Sequence, residues 1–287
     1  MNTINTQKKT EIAECLRNYT NRFGSQSKAA NTLKGVSAAT ISQVLNNNWE
    51  SISDEMWRNI AAQVGYDNTG WVIVETRDFR ILTQLLDDAK LNSNVFAVTG
   101  EAGTGKSLTL KEYARNNANA YFVQCAEYWN RKQFMLELLT AMGRDGGGMT
   151  VADMMSEIVR YLKMQNKPVL MLDEADKLKD QVLYFFITLY NQLEGQCGIV
   201  LCSTDFLAKR VLRGLKLNKK GYKEIYSRIA RRFIELKGPN AADIAAIATE
   251  NGITDRKLIK EIYEDSSNDL RRVRRKIYAI KQSLNGN

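Results

Sequence analysis

The chain has 287 residues, with 41 Lys plus Arg against 32 Asp plus Glu, four Cys, two Pro and no His. That length holds one medium domain with an appendage, or two to three small ones. At 44% hydrophobic and 25% charged, the composition is that of a folded globular chain, not a disordered one. Without His, and with Cys15, Cys125, Cys197 and Cys202 in no C-x-x-C pair, His-based acid–base chemistry is excluded and a zinc site or disulfide framework has almost no ligands.

No apolar run approaches the ~18 to 20 residues that span a bilayer, and the opening MNTINTQKKTEIAE lacks the apolar stretch of a secretory signal. A cytoplasmic protein with no membrane partner is expected. The net charge of +9 and pI near 9.3 suit a polyanionic partner. Residues 1–67 carry 7 basic and 6 acidic side chains, 68–239 carry 25 and 19, and 240–287 carry 9 and 7, so the excess sits mainly in the middle. Leu207 to Lys223 holds seven cations and no carboxylate, a stretch that reads equally well as a solvated surface.

In chain order, Ile12, Cys15, Leu16 and Tyr19 recur at helical spacing. Two short helices follow, Ser25 to Leu33 and Ser37 to Leu45, joined by a turn containing Gly35 and each opened by a Ser able to cap it. Ala29 and Ala30 allow a close crossing, and Leu33, Val36, Ile41, Val44 and Leu45 supply a shared apolar seam. With a further helix over Ser53 to Val64, the segment resembles the helix-turn-helix of phage repressors. That resemblance makes Ser37, Thr40 and Gln43 candidate DNA contacts.

Residues 68–77 read as a linker, and 78–91 as an amphipathic helix. Short apolar runs at 95–98, 121–123, 169–172 and 199–202 then alternate with helical stretches at 106–117, 131–142, 150–165 and 178–194. Continuous apolar strands separated by helices predict a parallel sheet covered on both faces. A fifth strand at 233–236 closes the series before Gly238 and Pro239, and three helices follow at 241–250, 255–264 and 268–283. The expected division is 1–67 helix-turn-helix, 68–77 linker, 78–239 α/β core and 240–287 helical lid.

After the first strand stand Gly100, Glu101, Ala102, Gly103, Thr104, Gly105, Lys106 and Ser107, the pattern G-x-x-x-x-G-K-[ST] between strand and helix, with Leu108 following. Glycines let successive backbone N–H groups turn toward phosphate oxygens at a helix N-terminus. Lys106 would neutralise the β- and γ-phosphates of ATP, and Ser107 would offer a hydroxyl to Mg²⁺. Asp173, at the carboxyl end of the third strand, is the candidate second Mg²⁺ ligand, and Glu174 the residue that polarises the attacking water. Thr204, after the fourth strand, is a candidate for orienting that water.

This order of parts resembles the AAA+ ATPases over residues 78–287. The resemblance implies a trans-acting arginine at Arg228, with Arg231 and Arg232 as rivals, and a phosphate-sensing Arg271 on the lid. It also implies a homo-oligomeric ring or filament, because one subunit cannot complete its own site. Arg131 and Lys132 lie where initiator-type members contact nucleic acid, beside Tyr128 and Trp129, which read equally well as exposed aromatics or as core aromatics at a helix start. The whole arrangement is similar to the AAA+ ATPases that capture target DNA in transposition. The implied function is ATP-dependent assembly on double-stranded DNA that activates a transposase. A helicase loader or replication initiator, or a nucleotide-switched helix-turn-helix transcription regulator, would use the same residues.

Overall fold

The computed structural model describes residues 4–67 and 69–285. The chain opens with α1 (Thr6–Phe23), α2 (Gln26–Thr32), α3 (Ala38–Leu45) and α4 (Asp54–Val64). Ser25, Ser37 and Ser53 each accept the amide hydrogen three residues on, so these helices start where a short hydroxyl can satisfy an orphan N–H. The four helices bury a core of their own, including Leu16, Ala29, Ile41, Val44 and Trp57.

The α5 helix (Arg77–Asn92) leads into an α/β layer: β1 (Val95–Gly100), α6 (Lys106–Asn116), β2 (Ala120–Gln124), α7 (Arg131–Ala141), α8 (Val151–Lys163), β3 (Val169–Asp173), a 3₁₀ turn (Ala175–Lys177), α9 (Asp180–Leu193), β4 (Gly198–Ser203), α10 (Asp205–Lys216), α11 (Tyr222–Arg228) and β5 (Phe233–Leu236). The five strands are parallel in the order β2-β3-β4-β1-β5. One face packs against α5 and α6 through Leu82, Leu86 and Leu110. The other lies under α7 to α11 through Leu138, Ile158 and Phe186. Burial on both faces explains why these strands read as unbroken apolar runs.

The last helices, α12 (Ala241–Glu250), α13 (Arg256–Ser266) and α14 (Leu270–Asn285), bury Ile244, Ile262, Val273 and Ile277 among themselves. Among the described residues, no helix is long and apolar enough to cross a membrane.

Three features depart from what the sequence pattern suggests. The stretch 71–76 is packed, not free: Trp71 and Val74 lie on the lid core, and the Asn251 side chain exchanges two 3.0 Å hydrogen bonds with the backbone of Val72. The basic stretch is not merely a solvated surface, since it folds as α10 and α11, burying Leu207, Val211, Tyr222 and Ile225. The N-terminal helices are seated on the α/β layer. Arg22 donates to the Ala114 carbonyl at 3.0 Å, Arg115 to the Gly65 carbonyl at 3.0 Å, and Asn31 to the Gly143 carbonyl at 3.2 Å.

Candidate nucleotide site

At the carboxyl edge of the sheet, β1 turns into α6 through Glu101 to Gly105. Gly103 and Gly105 hold φ of +85° and +96°, the left-handed region where a side chain is strained. No side chain caps α6, so its first amides and its dipole face the loop. Lys106 is nearly buried, and its ammonium folds back onto the loop, donating to Gly100 O at 2.6 Å, Glu101 O at 2.8 Å and Thr104 Oγ1 at 3.3 Å. Burial pushes its pKa down, opposed by the nearby carboxylates of Asp173 and Asp176.

Asp173 ends β3 and is 1% exposed. Its Oδ1 accepts the Glu174 amide at 3.0 Å, while Oδ2 is buried without a hydrogen-bond partner among the described residues. Burial pushes this carboxyl up, opposed by the Ser107 hydroxyl and the Glu174 amide. An unpartnered carboxylate oxygen next to a hydroxyl is a hard-oxygen pair suited to Mg²⁺. These residues therefore fit the ion that the phosphate loop implies.

Glu174 sits at φ +53°, and its Oε2 lies 2.5 Å from Lys177 Nζ. Thr204 follows β4, and its hydroxyl donates to Asp176 Oδ2 at 2.8 Å. Lys106, Ser107, Asp173, Glu174 and Thr204 line one cavity of about 460 Å³, along with Ala102 to Gly105, Leu108 and Arg271, whereas Gly100 and Glu101 do not. The lid closes it: the Leu270 amide donates to Gly103 O at 2.9 Å. The far wall is Trp71, Val72, Ile73 and Val74 with Ile247, an apolar surface suited to a base. The run Trp-Val-Ile-Val is the one local signal that 71–74 is more than a linker. No such signal marks Asp176, which touches Thr204 but not the cavity.

Other expected residues lie elsewhere. Arg228 shares a second cavity with Val95, the first residue of β1, and Ile199, the second of β4, at the opposite end of the sheet from Gly100. Its guanidinium donates to Asn191 Oδ1 at 3.0 Å and stacks over Tyr190 at 5.3 Å. Arg231 and Arg232 are exposed. Arg131 and Lys132 line a groove with Lys179 and Tyr128. Tyr128 is 81% exposed, whereas Trp129 is only 5% exposed and packs on Phe134, so of the two aromatics one is a surface residue and the other a core residue at a helix start. On α3, Ser37 spends its hydroxyl on capping, with Thr40 bonded to it at 2.9 Å, while Gln43 is exposed.

A family model described as an AAA domain matches residues 90–211. The chain is 24% identical over 235 residues to the Mu-like prophage FluMu DNA transposition protein B of Haemophilus influenzae, covering 79% of this chain and 80% of that protein. It is also 24% identical to the ATP-dependent target DNA activator B of Escherichia phage Mu, covering 79% of this chain and 74% of the other. The ATP complex of NtrX from Brucella abortus superposes with a TM-score of 0.51 at 14% identity, over 88% of this chain and 61% of that one. This chain thus spans about three fifths of NtrX, and the likeness concerns the fold alone. With an AAA domain matched over residues 90–211 and built around a phosphate loop and its acidic strand end, the chain carries the core of an ATPase and is similar to the phage Mu transposition B proteins.

Proposed function

We propose that this ATPase assembles as a ring or filament on duplex DNA, selects target DNA and activates a transposase. The observation that carries the reading is the separation within one chain. Arg228, Arg231 and Arg232 belong to the α11–β5 corner, where Arg228 lines a cavity at the amino end of the strands, whereas the cavity with Lys106, Asp173 and Glu174 lies at the carboxyl end. An arginine so placed serves a nucleotide only across a boundary between copies.

In the proposed site, the α6 N-terminus and Lys106 hold the β- and γ-phosphates, and Ser107 and Asp173 would hold Mg²⁺, which would neutralise charge on the phosphates. Glu174 polarises water once it leaves Lys177, Thr204 orients that water, and Arg271 reaches the phosphates from the lid. The γ-phosphate then acts as a switch, drawing the neighbour's arginine into the interface and releasing it on hydrolysis.

Arg131 and Lys132, with Lys179 beside them, supply the phosphate contacts to DNA, and the N-terminal helices add contacts through Thr40 and Gln43, with Ser37 at the helix start. The names of the relatives, a DNA transposition protein and an ATP-dependent target DNA activator, support the target-DNA role. Electron microscopy with duplex DNA and a poorly hydrolysed ATP analogue tests this directly. Ordered assemblies that need both components are expected, and a monomer indifferent to saturating nucleotide and DNA would refute the proposal.

A further inference from the structure

We propose that Asp176 is a positioning residue for hydrolysis. By accepting the proton of the Thr204 hydroxyl, it turns the oxygen lone pairs of Thr204 toward the nucleotide cavity. The proposal rests on reading that cavity as the ATP site.

A threonine hydroxyl has one proton to give and lone pairs that accept. An ionised carboxylate only accepts, so the 2.8 Å contact between Thr204 Oγ1 and Asp176 Oδ2 uses the single proton of Thr204. What remains for the cavity is an acceptor. Such an oxygen can receive a hydrogen from water but repels a phosphate oxygen, which is itself an acceptor. Thr204 is therefore committed to the attacking water and barred from clamping the γ-phosphate.

The surroundings show that this carboxylate is held for Thr204. Its other oxygen, Oδ1, is buried and has no hydrogen-bond partner among the described residues, so the side chain's hydrogen bonding goes to Thr204. The 3₁₀ turn that carries Asp176 is fixed from behind by Arg210. That guanidinium donates to Asp176 O at 3.2 Å and Leu178 O at 2.6 Å, and pairs with Asp180 at 2.6 Å. The Tyr222 hydroxyl steadies the clasp, accepting from Arg210 Nε at 3.0 Å and donating to Asp180 at 2.8 Å. Ser203, whose hydroxyl donates to Thr204 O at 2.8 Å, fixes the backbone on the other side. Asp176 is thus anchored by Arg210 and Thr204 by Ser203 at the end of β4.

The test is a double-mutant cycle on the full chain, measured as kcat, KM and ATP affinity under assembling conditions. Asp176→Ala and Thr204→Val are each expected to lower kcat roughly ten- to a hundredfold, the scale of a mispositioned reacting group. ATP affinity should be unchanged or, for Asp176→Ala, tighter, because the freed hydroxyl can then donate to phosphate. The double variant should match the worse single variant. Asp176→Asn, which keeps the shape and one acceptor oxygen, guards against a folding failure and should retain more kcat than Asp176→Ala. Multiplicative losses in the double variant, or a loss confined to affinity, would overturn the assignment, as would a reversed order of the Asn and Ala variants. Absence of any hydrolysis by the wild type would instead remove the ATPase reading itself, and is told apart because it is read on the unaltered chain.

Discussion

The amide of Leu270 donates to the carbonyl of Gly103 across 2.9 Å, fastening the start of lid helix α14 to the phosphate loop. The loop can approach that closely because residue 103 has no side chain. A Cβ there would stand 2.1 Å from Asp269 Oδ1, on a backbone at φ +85°. Gly103→Ala should therefore strain the loop by about 1–2 kcal/mol and push the lid away. At least a tenfold loss of nucleotide affinity, read by fluorescent-nucleotide titration, is the expected result, and an unchanged affinity would contradict the closed arrangement.

Lys106 and Glu174 separate binding from turnover. A ligand at a hundred times its dissociation constant stabilises the native state by about 2.7 kcal/mol, so the wild type should melt higher with Mg-ATP. Lys106→Ala should show no such gain. Glu174→Gln should keep the thermal shift and the DNA-bound assembly while hydrolysis falls at least a hundredfold. Equal turnover by wild type and Glu174→Gln would remove Glu174 from the water-activating role.

Arg228 is tethered in cis by Asn191 and Tyr190. If it acts on a neighbouring nucleotide, Arg228→Ala should leave nucleotide binding by the monomer intact and reduce hydrolysis by about a thousandfold. Mixing it with a Lys106→Ala chain should restore activity at mixed interfaces, where the wild-type arginine of one copy meets the intact loop of the other. Activity retained in Arg228→Ala alone would transfer the role to the exposed Arg231 or Arg232.

Asp180 gives a dependence on pH. Burial pushes its carboxyl up, but the Tyr222 hydroxyl and the Arg210 guanidinium outweigh burial and hold it below its ordinary value of 3.8. A depressed carboxyl contributes stability above its unfolded-state pKa, and that contribution is lost as pH falls through the folded-state value. Asp180→Asn should accordingly melt below wild type at about pH 7, with the gap closing below about pH 4. A gap that stays constant over that range would mean that the Arg210 clasp gains nothing from the charge.

Much of the fold was legible because its signals are local. The run Phe233–Leu236 is the fifth strand as expected, and Ser25 and Ser37 cap the helices they open. The departures have physical causes. In α10, Leu207, Val211 and Gly214 form the buried face at helical spacing, while Lys209, Arg213 and Lys216 among them make the stretch read as a basic surface. Beside Asn130 and two cations the sequence leaves Trp129 open between surface and core, and α7 decides it by turning Phe134 against its ring. The run Trp71 to Val74 looked like connecting chain because its partners, Asn251 and the lid core, lie some 180 positions away.

By itself the sequence determined the phosphate loop, the acidic end of the third strand and the alternation of strands and helices, since each depends on residues within one turn or strand of one another. Only the tertiary structure decided that the Thr204 proton goes to Asp176, that Arg228 lies at the far end of the sheet from Lys106, and that residues 71–74 wall the cavity. The first follows from the strand order β2-β3-β4-β1-β5, which seats β4 between β3 and β1, and the last from the packing of Trp71 and Val74 on the lid core. Both bring distant residues together, a geometry that local spacing does not encode.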